Sequence, residues 1–221
     1  MRTAARRIHS ALAAPSVFLV LGLLLGLQAC GPSPIVDGSG PQETANGMVV
    51  SANAIASRVG AEVLQAGGNA VDAAIATGFA LAVVHPTAGN IGGGGFMVIR
   101  FPDGRTTALN FREKAPLAAH PEMFLDENGE YSSEIHHRSH IAVGVPGTVA
   151  GFAMAHEKYG SGEWGRLVDP AVTLAADGFP LSESLAGSLS RVLRSMEAYP
   201  ASIAKFSKDG VPYEVGELWQ Q

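Results

Sequence analysis

The chain has 221 residues, a formal net charge of −5 and a hydrophobic content of 47%. It has neither a basic patch nor basic residues interleaved with aromatic ones, which argues against a nucleic-acid partner. Cys30 is the only cysteine, so an intrachain disulfide is excluded.

The first 29 residues have the pattern of a secretory signal. Arginines at positions 2, 6 and 7 precede an apolar run over residues 17–27, which is too short to span a bilayer comfortably. The run ends in Leu-Gln-Ala-Cys, which is similar to a bacterial lipoprotein cleavage box. We therefore predict a lipoprotein signal peptide over residues 1–29 and acylation of Cys30. The alternative is an ordinary signal peptide followed by an incidental cysteine.

Residues 30–46 are rich in glycine, proline, serine and other polar residues, a composition that cannot form a core. We predict a flexible tether between a lipid anchor and residues 47–221. Those roughly 175 residues are enough for one domain or a large part of one. The predicted location is the periplasmic side of the bacterial cell envelope, with the lipid anchor as the membrane attachment.

Two helices are predicted after a short strand at residues 48–51. The first spans residues 54–66, where apolar side chains recur every four residues, and two glycines follow it. In the second, Asn69 is the predicted N-cap and Asp72 lies in the first turn, where an acid is favourable. This helix should end near Val84, before His85 and a proline. Because the second helix is apolar on every side, we expect it to be buried.

A β-hairpin is predicted next, with strands at residues 96–101 and 106–111 and a Pro-Asp-Gly-Arg turn between them. Alternate side chains of a strand point to opposite faces. One face of the second strand should therefore be apolar and the other should be polar, ending in an arginine. The two sets are Thr107, Leu109 and Phe111 on one face, and Ala108, Asn110 and Arg112 on the other.

Three further helices are predicted. The first runs from Thr148 to about Tyr159. The second begins with Asp169 as its cap and Pro170 at its first position, and ends before Gly178. The third is capped by Ser182 and has an apolar stripe that consists of Leu185, Leu189, Val192 and Met196. With the hairpin, these helices indicate an α+β layered domain.

Four consecutive glycines, Gly92 to Gly95, lead into the first hairpin strand. A phosphate-binding P-loop is excluded because no Lys-Ser/Thr pair follows and the next element is a strand. The run therefore predicts close backbone packing. His136, His137 and His140 invite a zinc hypothesis, but they lack the glutamate of HExxH and lie in a predicted polar loop. We predict no metal site there.

Several motifs together carry a family resemblance. They are GMVVSAN from Gly47, GGNAVDAA from Gly67, the glycine run, FREKAP from Phe111, GVPGTVAG from Gly144, HEKYG from His156 and DGFP from Asp177. In this order they resemble the large-subunit region of γ-glutamyltranspeptidases (glutathione hydrolases), which are N-terminal-nucleophile hydrolases.

The resemblance implies a fold and an activity. Residues 47–221 would be the N-terminal part of the large subunit, a truncated piece of an αββα sandwich. The chain would help to transfer or hydrolyse the γ-glutamyl group of glutathione and related amides. The nucleophile would be a threonine beyond these residues, at the start of a small subunit cut from the same precursor. No catalytic residue would lie in this chain, and no cofactor is implied.

Arg112 is the predicted substrate-binding residue. Its guanidinium offers a planar fork of donors that fits a carboxylate. The resemblance implies that it binds the α-carboxylate of the γ-glutamyl group, whereas an ordinary ion pair with Glu113 is the structural alternative. Two other functions remain open: a non-catalytic, solute-binding envelope lipoprotein on the same fold, and an amidohydrolase similar to cephalosporin acylases.

Overall fold

The computed structural model describes residues 42–44, 47–196 and 198–221. The predicted signal peptide, Cys30 and most of the predicted tether lie outside the described residues. Within the predicted tether, strand β1 (Gln42–Thr44) pairs antiparallel with β2 (Gly47–Val49).

Helix α1 (Ala54–Gln65) confirms the first predicted helix. The Asn53 side chain caps it by accepting a hydrogen bond from the backbone N–H of Ile55 at 2.9 Å. A Cβ atom at Gly60 would collide with the Thr77 hydroxyl of the following helix. The absence of a side chain at Gly60 therefore lets the two helices pack closely.

Helix α2 (Ala70–Val84) is the centre of the core, as its apolar character predicted. Asn69 caps it in a capping box with Asp72, which confirms the predicted start. Ile75, Ala76 and Val84 are fully buried. The helix is apolar all round because α1 lies against it on one side while two later helices pack on others.

The hairpin of β3 (Phe96–Arg100) and β4 (Thr106–Asn110) confirms the predicted strands and faces, with Phe96 paired to Asn110 and Arg100 to Thr106. Leu109 is buried on the inner face, whereas Phe96 and Val98 on the outer face are 63% and 77% exposed. Gly104 supplies the left-handed residue of the turn with φ of 87°.

Two short elements occupy the region that was predicted to be a polar loop. They are helix α3 (Ser133–Arg138), capped by the Ser132 hydroxyl, and a 3₁₀ turn (His140–Ala142). The loop prediction was wrong because the helix has no buried residue and so leaves no apolar periodicity in the sequence. Helix α4 (Thr148–Tyr159) then follows as predicted.

Helix α5 (Trp164–Asp177) begins six residues before the predicted first position, and Pro170 lies inside it. Pro170 has no N–H group to donate to the carbonyl of Arg166, which lies in the first turn of the helix. Burial of Leu167 and Ala171 in the same core as α2 offsets that loss. Gly178 ends the helix with φ of 80°, which confirms the predicted stop.

The last part of the chain packs around Trp219, which belongs to the same buried cluster as α2. Its elements are β5 (Phe179–Pro180), α6 (Glu183–Leu193), α7 (Pro200–Phe206) and β6 (Leu218–Trp219), and β5 pairs with β6. Ser182 caps α6 as predicted. The predicted stripe is correct for Leu185 and Leu189, but the helix ends at Leu193, so Met196 lies beyond it.

Helices and antiparallel strands are thus mixed, which confirms the α+β class. In residues 42–44, 47–196 and 198–221, no sheet has more than two strands. No helix among the residues that the structure describes is both long and apolar enough to cross a bilayer.

Candidate functional site

Arg112 lies just past the end of β4, where the chain leaves the hairpin. The Asn110 side chain accepts a hydrogen bond from the Arg112 backbone N–H at 3.1 Å and so fixes the exit of the strand. The Arg112 side chain is 65% exposed, and its Nε atom lies 3.6 Å from Glu113 Oε2. That separation is longer than a hydrogen bond, so the guanidinium retains donors for another partner.

Two concavities meet at Arg112. The first has a volume of about 470 Å³ and lies between the end of β4 and the start of α4. The second, of about 440 Å³, lies between residues 112–116 and the segment that contains Phe124 and the 3₁₀ turn. Arg112, Glu113 and Lys114 line both of them. A ligand carboxylate that enters either concavity would therefore meet two cations and one acid.

The glycine run packs closely against the backbone of residues 111–113. A Cβ atom at Gly94 would lie 2.6 Å from the Phe111 carbonyl oxygen and 2.7 Å from the Glu113 nitrogen. The Gly93 carbonyl accepts hydrogen bonds from the backbone N–H groups of Gly147 and Thr148, at 2.7 and 3.0 Å. The predicted close backbone packing is confirmed at Gly94, whereas a Cβ atom at Gly92 would face open space.

A backbone bridge closes the site on its other side. Lys114 and Val145 exchange two hydrogen bonds, from the Lys114 N–H at 3.2 Å and from the Val145 N–H at 2.8 Å. Gly147 has no room for a side chain, because a Cβ atom there would strike the Phe111 carbonyl. Residues 111–114 are therefore fixed by backbone contacts on two sides, while the Arg112 side chain points away from the core.

The histidines of the HHRSH segment do not converge as metal ligands. Helix α3 ends at Arg138, so the helical spacing between His136 and His140 is interrupted. The ring of His136 instead stacks on His137 with 4.3 Å between centroids, and its Nδ1 atom lies 2.8 Å from the Tyr131 hydroxyl. In the described part of the chain, no group of three or more His, Cys, Asp or Glu residues could hold a metal ion.

Asp72 is a buried acid whose partners the sequence did not reveal. It is 0% exposed and accepts hydrogen bonds from the Asn69 N–H, the Ser161 N–H and hydroxyl, and the Gly162 N–H. Burial alone would raise the pKa of Asp72, but the hydrogen bonds from Ser161, Asn69 and Gly162 outweigh it and hold that pKa below its usual range. Every partner of this carboxylate is internal, so it serves the fold.

His85 is the C-cap residue of α2, and its ring lies near the Thr87 hydroxyl at 3.5 Å. The backbone N–H of His85 donates to the Leu81 carbonyl at 2.9 Å, so this residue closes the last turn of the helix through its backbone.

The sequence of the chain is similar to those of known proteins. Residues 56–221 match the sequence profile described as "Gamma-glutamyltranspeptidase". The chain is 52% identical over 178 residues to a glutathione hydrolase proenzyme of Pseudomonas sp. strain A14, an alignment that covers 80% of this chain and 31% of the relative. It is 46% identical over 213 residues to the glutathione hydrolase proenzyme of Escherichia coli K12, with 92% of this chain and 36% of the relative covered.

The fold agrees with the sequence comparison. The structure is similar to the crystal structure of the gamma-glutamyltranspeptidase of Helicobacter pylori, with a TM-score of 0.77 and 45% identity, over 81% of this chain and 52% of that one. The chain spans about a third of the length of the curated relatives that it matches. With the profile match, the ordered motifs and the shared fold, the chain belongs to the gamma-glutamyltranspeptidase family.

Proposed function

We propose that this chain forms part of a γ-glutamyltransferase that also hydrolyses glutathione. The observation that carries the proposal is the position of Arg112, a permanent cation held by glycine-packed backbone where two concavities meet. The names of the relatives, glutathione hydrolase proenzymes, support the same reaction.

The proposed role of Arg112 is to hold the α-carboxylate of the γ-glutamyl group. A guanidinium can donate two parallel N–H···O bonds to a carboxylate and so fix its orientation as well as its position. Glu113 lies too far from Nε to occupy those donors fully. The γ-amide of the substrate would then extend from the Arg112 anchor toward the reacting centre.

The nucleophile of the proposed reaction is an N-terminal threonine outside residues 1–221. Its hydroxyl attacks the γ-carbonyl carbon while its own amine takes the proton. The C–N bond of the tetrahedral intermediate then breaks, the leaving amine takes up that proton, and a γ-glutamyl ester of the threonine remains. Water or an amino acid then attacks this ester and releases the threonine. The small subunit that carries the threonine would come from the same precursor, in keeping with the word proenzyme in the names of the relatives.

The outer face of the hairpin is the proposed contact with the rest of an αββα sandwich. Phe96 and Val98 lie there and are largely exposed, although an apolar strand face is normally covered. A second sheet stacked on this face would cover both side chains and would leave Arg112 at the rim between the sheets.

The cell-envelope location remains part of the proposal. Cys30 and the apolar run before it would provide acylation and membrane attachment, and the proposed enzyme would then act on γ-glutamyl compounds outside the cytoplasm.

The test is an assay of the complete precursor with γ-glutamyl-p-nitroanilide and glutathione, with and without an acceptor amino acid. We expect release of p-nitroaniline and glutamate, faster product formation with the acceptor, and a new subunit that begins with threonine. Turnover of a cephalosporin side-chain amide without turnover of γ-glutamyl substrates would favour the acylase-like alternative. Binding of glutathione without any turnover would favour a solute-binding protein.

A further inference from the structure

We propose that Phe96 is a positioning residue for Arg112, which it holds by a cation–π contact. The inference rests on the proposed function, in which Arg112 binds the substrate carboxylate. The Cζ atom of Arg112 lies 5.9 Å from the centroid of the Phe96 ring. This distance is within the range at which a guanidinium is attracted to the face of an aromatic ring.

The strand register brings the two side chains together. Phe96 opens β3 and pairs with Asn110, so their side chains share the outer face of the hairpin. Arg112 comes two residues after Asn110 in the sequence and is therefore a diagonal neighbour of Phe96 across the hairpin. Backbone hydrogen bonds between Gly95 and Phe111 continue the ladder past this pair and keep Arg112 on the Phe96 side of the strand end.

Phe96 does not serve the core of the described residues. Its neighbours Met97 and Ile99 point to the inner face and pack against the buried cluster, whereas Phe96 is 63% exposed. Among the described residues, the Phe96 ring therefore contacts the site residue and does not belong to the buried cluster.

An aromatic partner suits a substrate-binding arginine for a chemical reason. A carboxylate partner occupies N–H donors, and those donors are what a substrate carboxylate needs. A ring attracts the cation through its quadrupole and leaves the N–H fork free. Phe96 would restrict the guanidinium before the substrate arrives, so less conformational entropy is lost on binding.

The first test replaces Phe96 in the complete precursor and measures KM and kcat for γ-glutamyl-p-nitroanilide. We expect Phe96→Leu to raise KM about two- to fivefold, as the loss of one weak cation–π contact implies, with little change in kcat. Phe96→Tyr and Phe96→Trp should retain a low KM. Val98→Ala is the matched control, since Val98 lies on the same strand face and the proposed second sheet would cover it as well, while it has no ring.

A second variant tests the effect of the ring quadrupole separately from that of the ring shape. Pentafluorophenylalanine at position 96 keeps the size of the ring but inverts its quadrupole, so KM should rise while the thermal midpoint of unfolding stays near that of the parent. An unchanged KM with this residue would overturn the inference. So would equal KM values for the Leu, Tyr and Trp variants.

Coupling to Arg112 distinguishes this inference from the proposed function. In an Arg112→Ala background, Phe96→Leu should raise KM no further, because the two changes remove one contact. An additive effect would overturn the inference. If Arg112→Ala alone leaves KM unchanged, the proposed anchor role of Arg112 fails first, whatever Phe96 does.

Discussion

Arg112 and Asp72 are two charged residues that the fold treats in opposite ways. Asp72 is fully buried, and four donors from Asn69, Ser161 and Gly162 satisfy its carboxylate. Arg112 is 65% exposed, and its closest acidic contact is longer than a hydrogen bond. A charge whose partners are all internal stabilises the fold, whereas a charge with free donors beside a concavity is available to a ligand.

The two regions also differ in what holds them. The Asp72 cluster joins the start of α2 to the turn between α4 and α5 through side-chain hydrogen bonds. The Arg112 segment is held by backbone bonds and by glycines that leave no space for side chains. The side chain of Arg112 therefore takes no part in supporting its own loop, and it can change partners without disturbing the fold.

The largest effect is expected from the removal of Arg112, the exposed charge. Arg112→Ala in the complete precursor should lower kcat/KM for γ-glutamyl-p-nitroanilide, because the substrate carboxylate is left unpaired. The expected loss of transition-state stabilisation is about 2–5 kcal/mol. The thermal midpoint of the variant should stay close to that of the parent. Arg105→Ala is the matched control: Arg105 is also exposed and has its own acid and aromatic partners, Asp103 at 2.7 Å and Phe101 at 5.0 Å. Equal activity of the two variants would contradict the assigned role of Arg112.

Substitution of Asp72, the buried charge, should change stability and leave substrate binding unchanged. Asp72→Asn should destabilise the protein by about 2–3 kcal/mol, since an amide cannot accept from all four donors and brings N–H groups of its own. Urea unfolding measures the change, and KM should remain near the parental value in the folded fraction. A large rise in KM without a loss of stability would mean that Asp72 contributes to substrate binding.

The packing behind Arg112 can be tested with two neighbouring glycines. Gly94→Ala should cost about 1–3 kcal/mol of stability, because the new methyl group meets backbone atoms of Phe111 and Glu113 that cannot move aside independently. It should also raise KM by displacing Arg112. Gly92→Ala, where a methyl group meets open space, should change both quantities little. If the two variants behave alike, packing is not the reason for the glycine run.

The smallest effect is a pH dependence. The pKa of Asp72 is lowered in the folded protein, so its stabilising contribution is present above the usual aspartate pKa of about 3.9 and is lost as the pH falls through the folded value. The difference in unfolding free energy between the parent and Asp72→Asn should therefore be constant near neutral pH and shrink below about pH 4. A difference that stays constant down to pH 3 would contradict the lowered pKa of Asp72.

Local signals predicted the elements that local interactions control. Asn69 and Ser182 marked helix starts because an N-cap acts on N–H groups only two or three residues away. The alternation around Leu109 predicted the hairpin faces since the pleat itself sets that period. The start of α5 was missed because Asp169 followed by Pro170 is the local pattern of a helix start. Pro170 instead lies inside the helix, where its cost is offset by burial against a distant helix.

The sequence by itself determined the family, the α+β class, the core helices and the identity of Arg112 as a candidate, because motifs, caps and periodicities are local properties. Only the tertiary structure decided that Asp72 is bonded to Ser161, that Phe179 pairs with Trp219, and that Phe96 lies beside the guanidinium of Arg112. The first two contacts join residues 89 and 40 positions apart in the chain. Such contacts depend on how whole elements pack, which no short stretch of residues specifies.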